Sequence, residues 1–257
     1  MDPQERKKAT DKVEEMYDRD SPIYKITTGD FIQGYSAVDM QAYIKYLRDL
    51  VVPDNGKVLD AGCGLGGVSI ALAKITNGVS FDGITISSVQ KKIADANIAE
   101  AGLDKSISIT TGDYHQLTNY FGKNYFDSAI FSDTLGHSPD PSKVLRELFD
   151  VLKPEGKIYI RDIYTHPYKS VEDKQRGQDI IDRINLNYAY NLRTLDSMIR
   201  ILQEEGFDLI NVQPPPYPSD YENTVKYEKA LGLDTYLYIP TFRAADWFEI
   251  VCKKPMG

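Results

Sequence analysis

The chain has 257 residues, 42% of them hydrophobic and 26% charged, and its formal net charge is −8. This length suffices for one large domain, and the acidic balance disfavours general nucleic-acid binding, which needs basic residues to neutralise phosphates. The two cysteines, Cys63 and Cys252, support neither a disulfide framework nor a zinc cluster. A charged N-terminus and the lack of a long apolar run predict a cytoplasmic protein without a secretory signal or stable membrane insertion.

The sequence predicts helices in the N-terminal part of the chain, followed by alternating strands and helices. Residues 1–50 are expected to form one or two helices, and from Lys57 onward β-rich runs alternate with helical stretches, as in parallel βαβ units. The predicted strands are residues 57–61, 79–86, 106–112, 125–133, 157–164, 208–213 and 247–254. Helices are predicted over residues 66–76, 88–103, 141–153, 171–188 and 194–207, with a short helix inside the Pro- and Tyr-rich residues 214–242. The fold class is therefore α/β, a doubly wound and mostly parallel sheet of about seven strands.

We expect residues 1–257 to form a single domain with three parts. Residues 1–50 form an N-terminal helical lid, residues 51–170 the ligand-binding core, and residues 171–243 substrate-side insertions around the sixth strand. In a doubly wound sheet, ligands bind beyond the carboxyl ends of the strands, near the point where the strand order reverses. The loops after the first five strands are therefore the place to look for a site.

The loop after the first strand, in "KVLDAGCGLGG", contains a complete G-x-G-x-x-G formed by Gly62, Gly64 and Gly67. Because this pattern follows a β-rich run and opens a helix, it predicts a ligand-binding turn, and a dinucleotide is one ligand to consider. Asp60 precedes the first glycine by two residues, and its carboxylate would repel a pyrophosphate but attract an ammonium group. S-adenosylmethionine fits this environment, since it offers an ammonium group and a sulfonium cation and has no phosphate.

The stretch "VLDAGCGLGG" resembles the first motif of the class I S-adenosylmethionine-dependent methyltransferases, which have a Rossmann-like fold. The likeness extends to about Tyr164, through "TTGDYHQL", where the family carries an Asp beside the adenine, and through the "LKPEG" turn before the fifth strand. The resemblance implies S-adenosylmethionine as cofactor, a small-molecule substrate, no nucleic-acid partner and an enzyme that could form a homo-oligomer. The cofactor contacts that it implies are Tyr35, Asp60, Gly62, Cys63, Gly64, Thr85, Ser87, Gln90, Gly112, Asp113, Tyr114 and Ser132.

The second motif narrows the resemblance to a subgroup. Many members end the second strand with an acid that chelates the ribose, whereas Thr85 stands at that place here, with Gln90 at the spacing of a substitute ribose contact. This departure is similar to the sterol and prenyl diphosphate C-methyltransferases and the cyclopropane fatty acid synthases. Gln90 could instead be a solvated helix residue, and Asp82 would chelate the ribose if the strand ended earlier.

Aromatic residues also match that subgroup, whose members close an aromatic, glycine-containing segment over the cofactor. The corresponding residues are Tyr24, Phe31, Gly34 and Tyr35, although the rings could equally pin the N-terminal helix to the domain. A second aromatic set either lines the substrate site or packs a cap: Tyr217, Tyr221, Tyr227, Tyr236, Tyr238 and Phe242.

The loop after the fourth strand, "SDTLGHSPD", is predicted to face the substrate. Asp133 stands where the C-methyltransferases carry an acid, which implies a base or cation stabiliser, and a loop-capping role is the alternative. His137 is the strongest catalytic candidate of the three histidines, and no metal-ligand spacing links it to His115 or His166. Arg161, at the end of the fifth strand, is also expected to reach the mouth of the active site, although it could instead form an internal ion pair.

The resemblance favours C-methylation of a lipophilic, isoprenoid-like substrate such as a prenyl diphosphate. Mg²⁺ would join the cofactors if the acceptor were a diphosphate. The alternative in the same class is O- or N-methylation of a small metabolite. Two rivals from other classes are an NAD-dependent oxidoreductase, against which Asp60 and "LKPEG" argue, and a cofactor-binding scaffold without catalytic activity.

Overall fold

The structure is a computed structural model, and it describes residues 1–29, 37–168, 170–218, 221–233 and 242–256. Two helices precede the sheet, α1 (Pro3–Thr28) and α2 (Met40–Val51). The strands are β1 (Gly56–Ala61), β2 (Val79–Thr85), β3 (Ile107–Thr111), β4 (Phe126–Ser132), β5 (Leu152–Thr165), β6 (Asp208–Gln213) and β7 (Ala245–Lys253). The other helices are α3 (Gly67–Ala73), α4 (Ser88–Ala101), α5 (Pro141–Val151), α6 (Val171–Asn187), α7 (Leu195–Glu204) and α8 (Tyr221–Leu231).

The strand order is β3-β2-β1-β4-β5-β7-β6, and among the described strands β7 alone runs antiparallel to its neighbours. This confirms the predicted α/β class with a seven-stranded, mostly parallel sheet. From β1 the chain adds β2 and then β3 on one side of β1, and it then crosses over to add β4 on the other side of β1. The order therefore reverses between β1 and β4, and their carboxyl ends border a crevice.

Helices cover both faces of the sheet, and this explains why its strands read as continuous apolar runs. Neighbouring residues of β4, Ile130 and Phe131, are both fully buried but belong to different core clusters. The cluster of Phe131 includes α5 and α7 through Leu148 and Leu202. The cluster of Ile130 includes side chains of α2, α3 and α4, among them Leu47.

The largest difference from the predicted boundaries concerns β5, which was expected to begin at Lys157 and begins at Leu152. Leu152 pairs with Phe126 of β4, and the pairing then resumes between Lys157 and Ser128 after a shift in register. The "LKPEG" turn is thus included within the strand, because Glu155 and Gly156 also exchange backbone hydrogen bonds with Lys254 beyond β7. Sequence periodicity could not detect this pairing, which joins segments far apart in the chain.

A third apolar cluster forms a roof over the carboxyl edge of the sheet. It joins α1, α6 and α8 through Tyr24, Ile184 and Tyr227. The rings of Tyr24 and Tyr227 stack with their centroids 4.7 Å apart, and the two hydroxyl oxygens are 3.0 Å apart. Among the residues described, no helix is both long and apolar enough to cross a bilayer.

We predict that Leu148→Ala will lower the free energy of unfolding by about 2–5 kcal/mol, because it opens a cavity between α5 and the sheet. Leu148 is fully buried, whereas Leu186 on α6 is 81% exposed and provides the matched control Leu186→Ala. Urea unfolding followed by circular dichroism measures both changes. Equal losses from the two variants would contradict this account of the core.

Candidate active site

A cleft lies where the strand order reverses, and its empty volume is about 1230 Å³ when counted out to the open solvent at its mouth. The ends of β1 to β5 contribute to its wall, and α1 covers it with Thr10, Val13, Tyr17 and Tyr24. Crevices at such a reversal are the usual ligand sites of doubly wound sheets.

Asp60, the fifth residue of β1, is a buried carboxyl at the floor of the cleft. The hydroxyl of Ser69 on α3 donates a hydrogen bond to Asp60 Oδ2, with the two oxygens 2.6 Å apart. Burial raises the pKa of Asp60 to about 6, and the bond from Ser69 limits this rise. Asp60 is therefore ionised at neutral pH and needs a cationic partner from the cleft. Sequence reasoning missed Ser69, which carries no motif of its own.

The glycine turn after β1 approaches its neighbours closely. Gly62 has φ +80°, and a Cβ there would come within 2.6 Å of the Thr134 side chain. The backbone N–H groups of Gly62 and Cys63 both donate to the carbonyl of Ile84. Gly62, Cys63 and Gly64 all line the cleft. Burial raises the pKa of the Cys63 thiol, which fits a small wall residue rather than a nucleophile.

The end of β2 places Thr85 and Gln90 together in the wall of the cleft. The Thr85 hydroxyl donates to Gln90 Oε1 across 2.6 Å, and both residues are buried. Ser87 lies outside the wall, where its side chain caps α4 and bonds to Asp18 of α1. Asp82 lies inside β2 and does not line the cleft, which disfavours the alternative that it chelates a ribose.

The segment after β3 adds Gly112, Asp113 and Tyr114 to the wall. Burial opposes ionisation of Asp113, but hydrogen bonds from the backbone N–H and ring Nδ1 of His115 hold the pKa of its carboxyl below the ordinary value. The His115 ring Nε2 lies 2.8 Å from Ser138 Oγ. His115 therefore orients Asp113 from behind the wall. The Tyr114 hydroxyl donates to the carbonyl of Thr134.

Asp133 follows β4 directly, and with Ser132 it lines the cleft. Its backbone has φ +56°, a left-handed conformation that Asp tolerates better than most residues. Both carboxyl oxygens are buried and have no hydrogen-bond partner among the described residues. Burial raises the pKa of Asp133 to about 8, with Arg161 opposing the rise and Asp162 adding to it. Such a group can take a proton, or bind a cation, from a ligand in the cleft.

His137 and Tyr17 form a pair across the cleft, with the Tyr17 hydroxyl 2.8 Å from His137 Nε2. The other ring nitrogen, Nδ1, lies 3.3 Å from the carbonyl of Ala189 and can donate to it. Nε2 is then left to accept a hydrogen bond from Tyr17. Burial lowers the pKa of His137 to about 4, so its ring is neutral at neutral pH.

The segment after α6 holds the loop after β4 in place. The backbone N–H of Asn191 donates to the Gly136 carbonyl across 2.7 Å, and the Tyr190 hydroxyl donates to the Asp133 carbonyl across 3.2 Å. Asp162 supports the same loop, because its Oδ2 accepts the Gly136 N–H at 2.6 Å. These contacts fix the direction in which Asp133 faces.

Sequence reasoning missed several residues of the wall because they come from distant elements. They are Thr10, Val13, Tyr17, Ile163, Ile184, Tyr188, Tyr190 and Trp247. The indole N–H of Trp247 is buried and has no hydrogen-bond partner among the described residues. Periodicity on α1 offered a partial signal, since Thr10, Val13 and Tyr17 follow helical spacing.

Other candidates lie elsewhere. His166 is outside the wall of the cleft, where its Nε2 lies 3.0 Å from the carbonyl of Arg243. The proposed contact Tyr35, together with Phe31, Gly34, Tyr236 and Tyr238, lies outside the described residues. Within the described ranges, no group of three or more His, Cys, Asp or Glu side chains could hold a metal ion.

The chain is similar in sequence to known methyltransferases. A family model described as a methyltransferase domain matches residues 53–203. The 24-methylenesterol C-methyltransferase 3 of Arabidopsis thaliana is 30% identical over 176 residues, which cover 66% of this chain and 48% of that protein. The chain spans about half the length of the curated relatives that it matches.

Two solved structures share the fold over nearly the whole chain. The cyclase SpnF has a TM-score of 0.74 at 21% identity and covers 95% of this chain and 96% of its own. A geranyl diphosphate methyltransferase in complex with GPP and sinefungin has a TM-score of 0.73 at 15% identity, with coverages of 96% and 99%. At these identities the structural likeness shows the fold alone. The family match, which covers more than half of the residues, shows more: the chain belongs to the methyltransferase-domain family, among the class I S-adenosylmethionine-dependent methyltransferases.

Proposed function

We propose that this chain binds S-adenosylmethionine in the cleft and that its methyl group passes to a carbon atom of a lipophilic, isoprenoid-like small molecule. The observation that carries the acceptor chemistry is Asp133, whose carboxyl oxygens are buried at the cleft without a partner among the described residues. Because a cyclase shares the fold, the fold by itself does not identify the reaction.

The residues of the cleft fit the cofactor. The Asp60 carboxylate, fixed by Ser69, would hold the ammonium group, and the turn at Gly62 leaves no room for a side chain between the backbone and Thr134. Thr85 and Gln90 are suited to the ribose hydroxyls, and Asp113 is suited to the adenine amino group. Asp60, Gly62, Thr85, Gln90 and Asp113 all line the same cleft.

The cofactor supplies an electrophilic methyl group, so the protein has chiefly to align the acceptor and exclude water. The roof performs the second task, because Tyr17 and Tyr24 of α1 cover the cleft. Asp18 ties this helix to the core by accepting hydrogen bonds from the Ser87 hydroxyl and the Val89 N–H. Tyr188 and Tyr190 close the cleft from the side of α6.

A carbon acceptor presents a specific problem. When an alkene takes up a methyl group, the neighbouring carbon is left with a positive charge, and a proton must leave to restore the double bond. The aromatic faces of Tyr17, Tyr190 and Trp247 can stabilise that charge, and the Asp133 carboxylate can accept the proton. Arg161 helps to keep Asp133 ionisable, because its charge opposes the effect of burial on the pKa.

A second candidate is O- or N-methylation of a small metabolite, which the Tyr17–His137 pair favours. An acceptor hydroxyl or amine must lose one proton when it is methylated, and the neutral His137 ring could accept a hydrogen bond at Nε2 if the acceptor displaced the Tyr17 hydroxyl from it. However, burial lowers the pKa of His137 to about 4, which makes it a weak base. The pair therefore suits orientation of a polar acceptor better than removal of its proton.

We predict that S-adenosylhomocysteine will bind and that NAD will bind at least about tenfold more weakly, because Asp60 opposes a pyrophosphate. Asp60→Asn should weaken S-adenosylhomocysteine about 10–100-fold through the loss of a charged hydrogen bond. Asp82→Asn, the same change at a residue outside the cleft, is the control. Calorimetry measures each affinity, and tighter binding of NAD would overturn the cofactor assignment.

Asp133→Asn should reduce turnover about 10²-fold or more while leaving cofactor affinity nearly unchanged, because the amide cannot accept the proton. Asn also tolerates the left-handed backbone at this position. The assay is transfer of a labelled methyl group to prenyl diphosphates, sterols, phenols and amines. Near-normal turnover of the variant would remove Asp133 from the mechanism, and labelling of amines or phenols alone would favour the second candidate.

The pH dependence should follow the ionisation of Asp133. Its pKa is raised to about 8 and the base must be ionised, so kcat/KM for the acceptor should rise with pH up to about 8 and then level off. When S-adenosylmethionine is below saturation, the slope should steepen below about pH 6, because Asp60, with a pKa of about 6 in the empty cleft, then loses the charge that binds the ammonium group. The pH profile of the residual activity of Asp133→Asn should no longer rise between about pH 6 and pH 8, but it should keep the slope below about pH 6. An unchanged profile would show that another group titrates.

A further inference from the structure

The wall of the cleft is acidic. Its charged residues are Asp60, Asp113 and Asp133, and within the described part of the chain no lysine or arginine lines it. A fourth carboxyl, Asp162, lies behind the loop that carries Asp133, where it accepts a hydrogen bond from the Gly136 N–H. In sequence, the stretches that are not described contain one lysine, Lys169, against three aspartates, Asp30, Asp220 and Asp234.

Two buried or half-buried arginines, Arg161 and Arg193, lie outside the wall. The Arg161 guanidinium lies 5.2 Å from the Tyr43 ring centroid and 5.3 Å from that of Trp247, β7 places Glu249 opposite it in the sheet, and its charge opposes the rise in the pKa of Asp133. Arg193 donates from Nη2 to the Ser138 carbonyl across 3.0 Å. Both cations therefore stand behind the wall and support it, instead of presenting a guanidinium to a ligand's phosphate.

Aromatic rings continue the wall from Asp133. The His137 ring lies between those of Tyr17 and Tyr190, with centroid distances of 5.3 Å and 4.1 Å. Tyr190 is joined to Asp133 through the hydrogen bond from its hydroxyl to the Asp133 carbonyl. Ring faces beside an unpaired carboxyl attract a poorly hydrated cation, and they also accommodate an uncharged hydrocarbon.

We propose that the acceptor half of the cleft admits uncharged or cationic lipophiles and excludes phosphorylated ones, with Asp133 and the rings of Tyr17 and Tyr190 as the selecting groups. This inference rests on the proposed function and makes its substrate class narrower, because a prenyl diphosphate would place its negative charge against an acidic wall. An acceptor of the kind proposed needs no Mg²⁺ for its binding. The selectivity belongs to the ground state, so binding can test it separately from turnover.

Three probes with one hydrocarbon chain separate charge from shape: geraniol, geranyltrimethylammonium and geranyl diphosphate. Their affinities are measured by calorimetry at pH 8.5, above the pKa of about 8 of Asp133, so that this carboxyl is mostly ionised. Saturating S-adenosylhomocysteine fills the cofactor half of the cleft. We expect the ammonium probe to bind about tenfold more tightly than geraniol. Geranyl diphosphate should bind at least about tenfold more weakly than geraniol, with or without Mg²⁺.

Matched variants identify the selecting group. Asp133→Asn should weaken the ammonium probe about tenfold and leave geraniol within about twofold, since only the charge is removed. Asp82→Asn should change neither affinity, because Asp82 lies outside the cleft. Thermal unfolding checks that both variants are folded.

The outcomes separate this inference from the proposed function. The inference would be overturned if geranyl diphosphate bound as tightly as geraniol, with or without Mg²⁺. It would also be overturned if the ammonium probe bound no better than geraniol, or if neither geraniol nor the ammonium probe bound at all. If S-adenosylhomocysteine itself fails to bind, the proposed function fails. The three probes, measured on the unliganded protein, then still decide the charge preference of the cleft.

Discussion

The architecture depends on one constraint, which is that helices bury both faces of a parallel sheet. The middle of the strands is then mainly apolar, and ligand-binding polar side chains collect where the strands end. Asp60, Asp113 and Asp133 lie at or just after the ends of β1, β3 and β4, around the reversal in strand order. The cleft is therefore a consequence of the way in which the sheet is wound.

The three carboxyls of the cleft differ in what holds them. Ser69 binds Asp60, His115 binds Asp113, and no described residue binds the carboxyl oxygens of Asp133. Their pKa values separate accordingly, to about 6 for Asp60, below the ordinary value for Asp113 and to about 8 for Asp133. One acidic wall can thus combine two groups that are ionised at neutral pH with one group that exchanges a proton.

Much of this arrangement could be read from local sequence. Strand and helix periodicity predicted the seven strands in nearly their observed positions, and Gly62, Asp60 and Asp113 stand in short motifs whose geometry is local. Asp133 and His137 were predicted from their place after the fourth strand, and both line the cleft. The start of β5 was wrong by five residues, from Lys157 to Leu152, because its first pairing depends on distant Phe126.

The fold class, the family and the residues on the floor of the cleft follow from local sequence, because each of these depends on short-range spacing. Which side chains meet across the cleft follows from tertiary packing instead. Tyr17 reaches His137 over 120 positions of sequence, and Trp247 enters the wall from the last strand. Tertiary packing also leaves the Asp133 carboxyl at the cleft without a hydrogen-bond partner among the described residues. The same packing places Arg161 beside aromatic rings behind the wall of the cleft. Burial and long-range packing set these environments, and no local pattern encodes them.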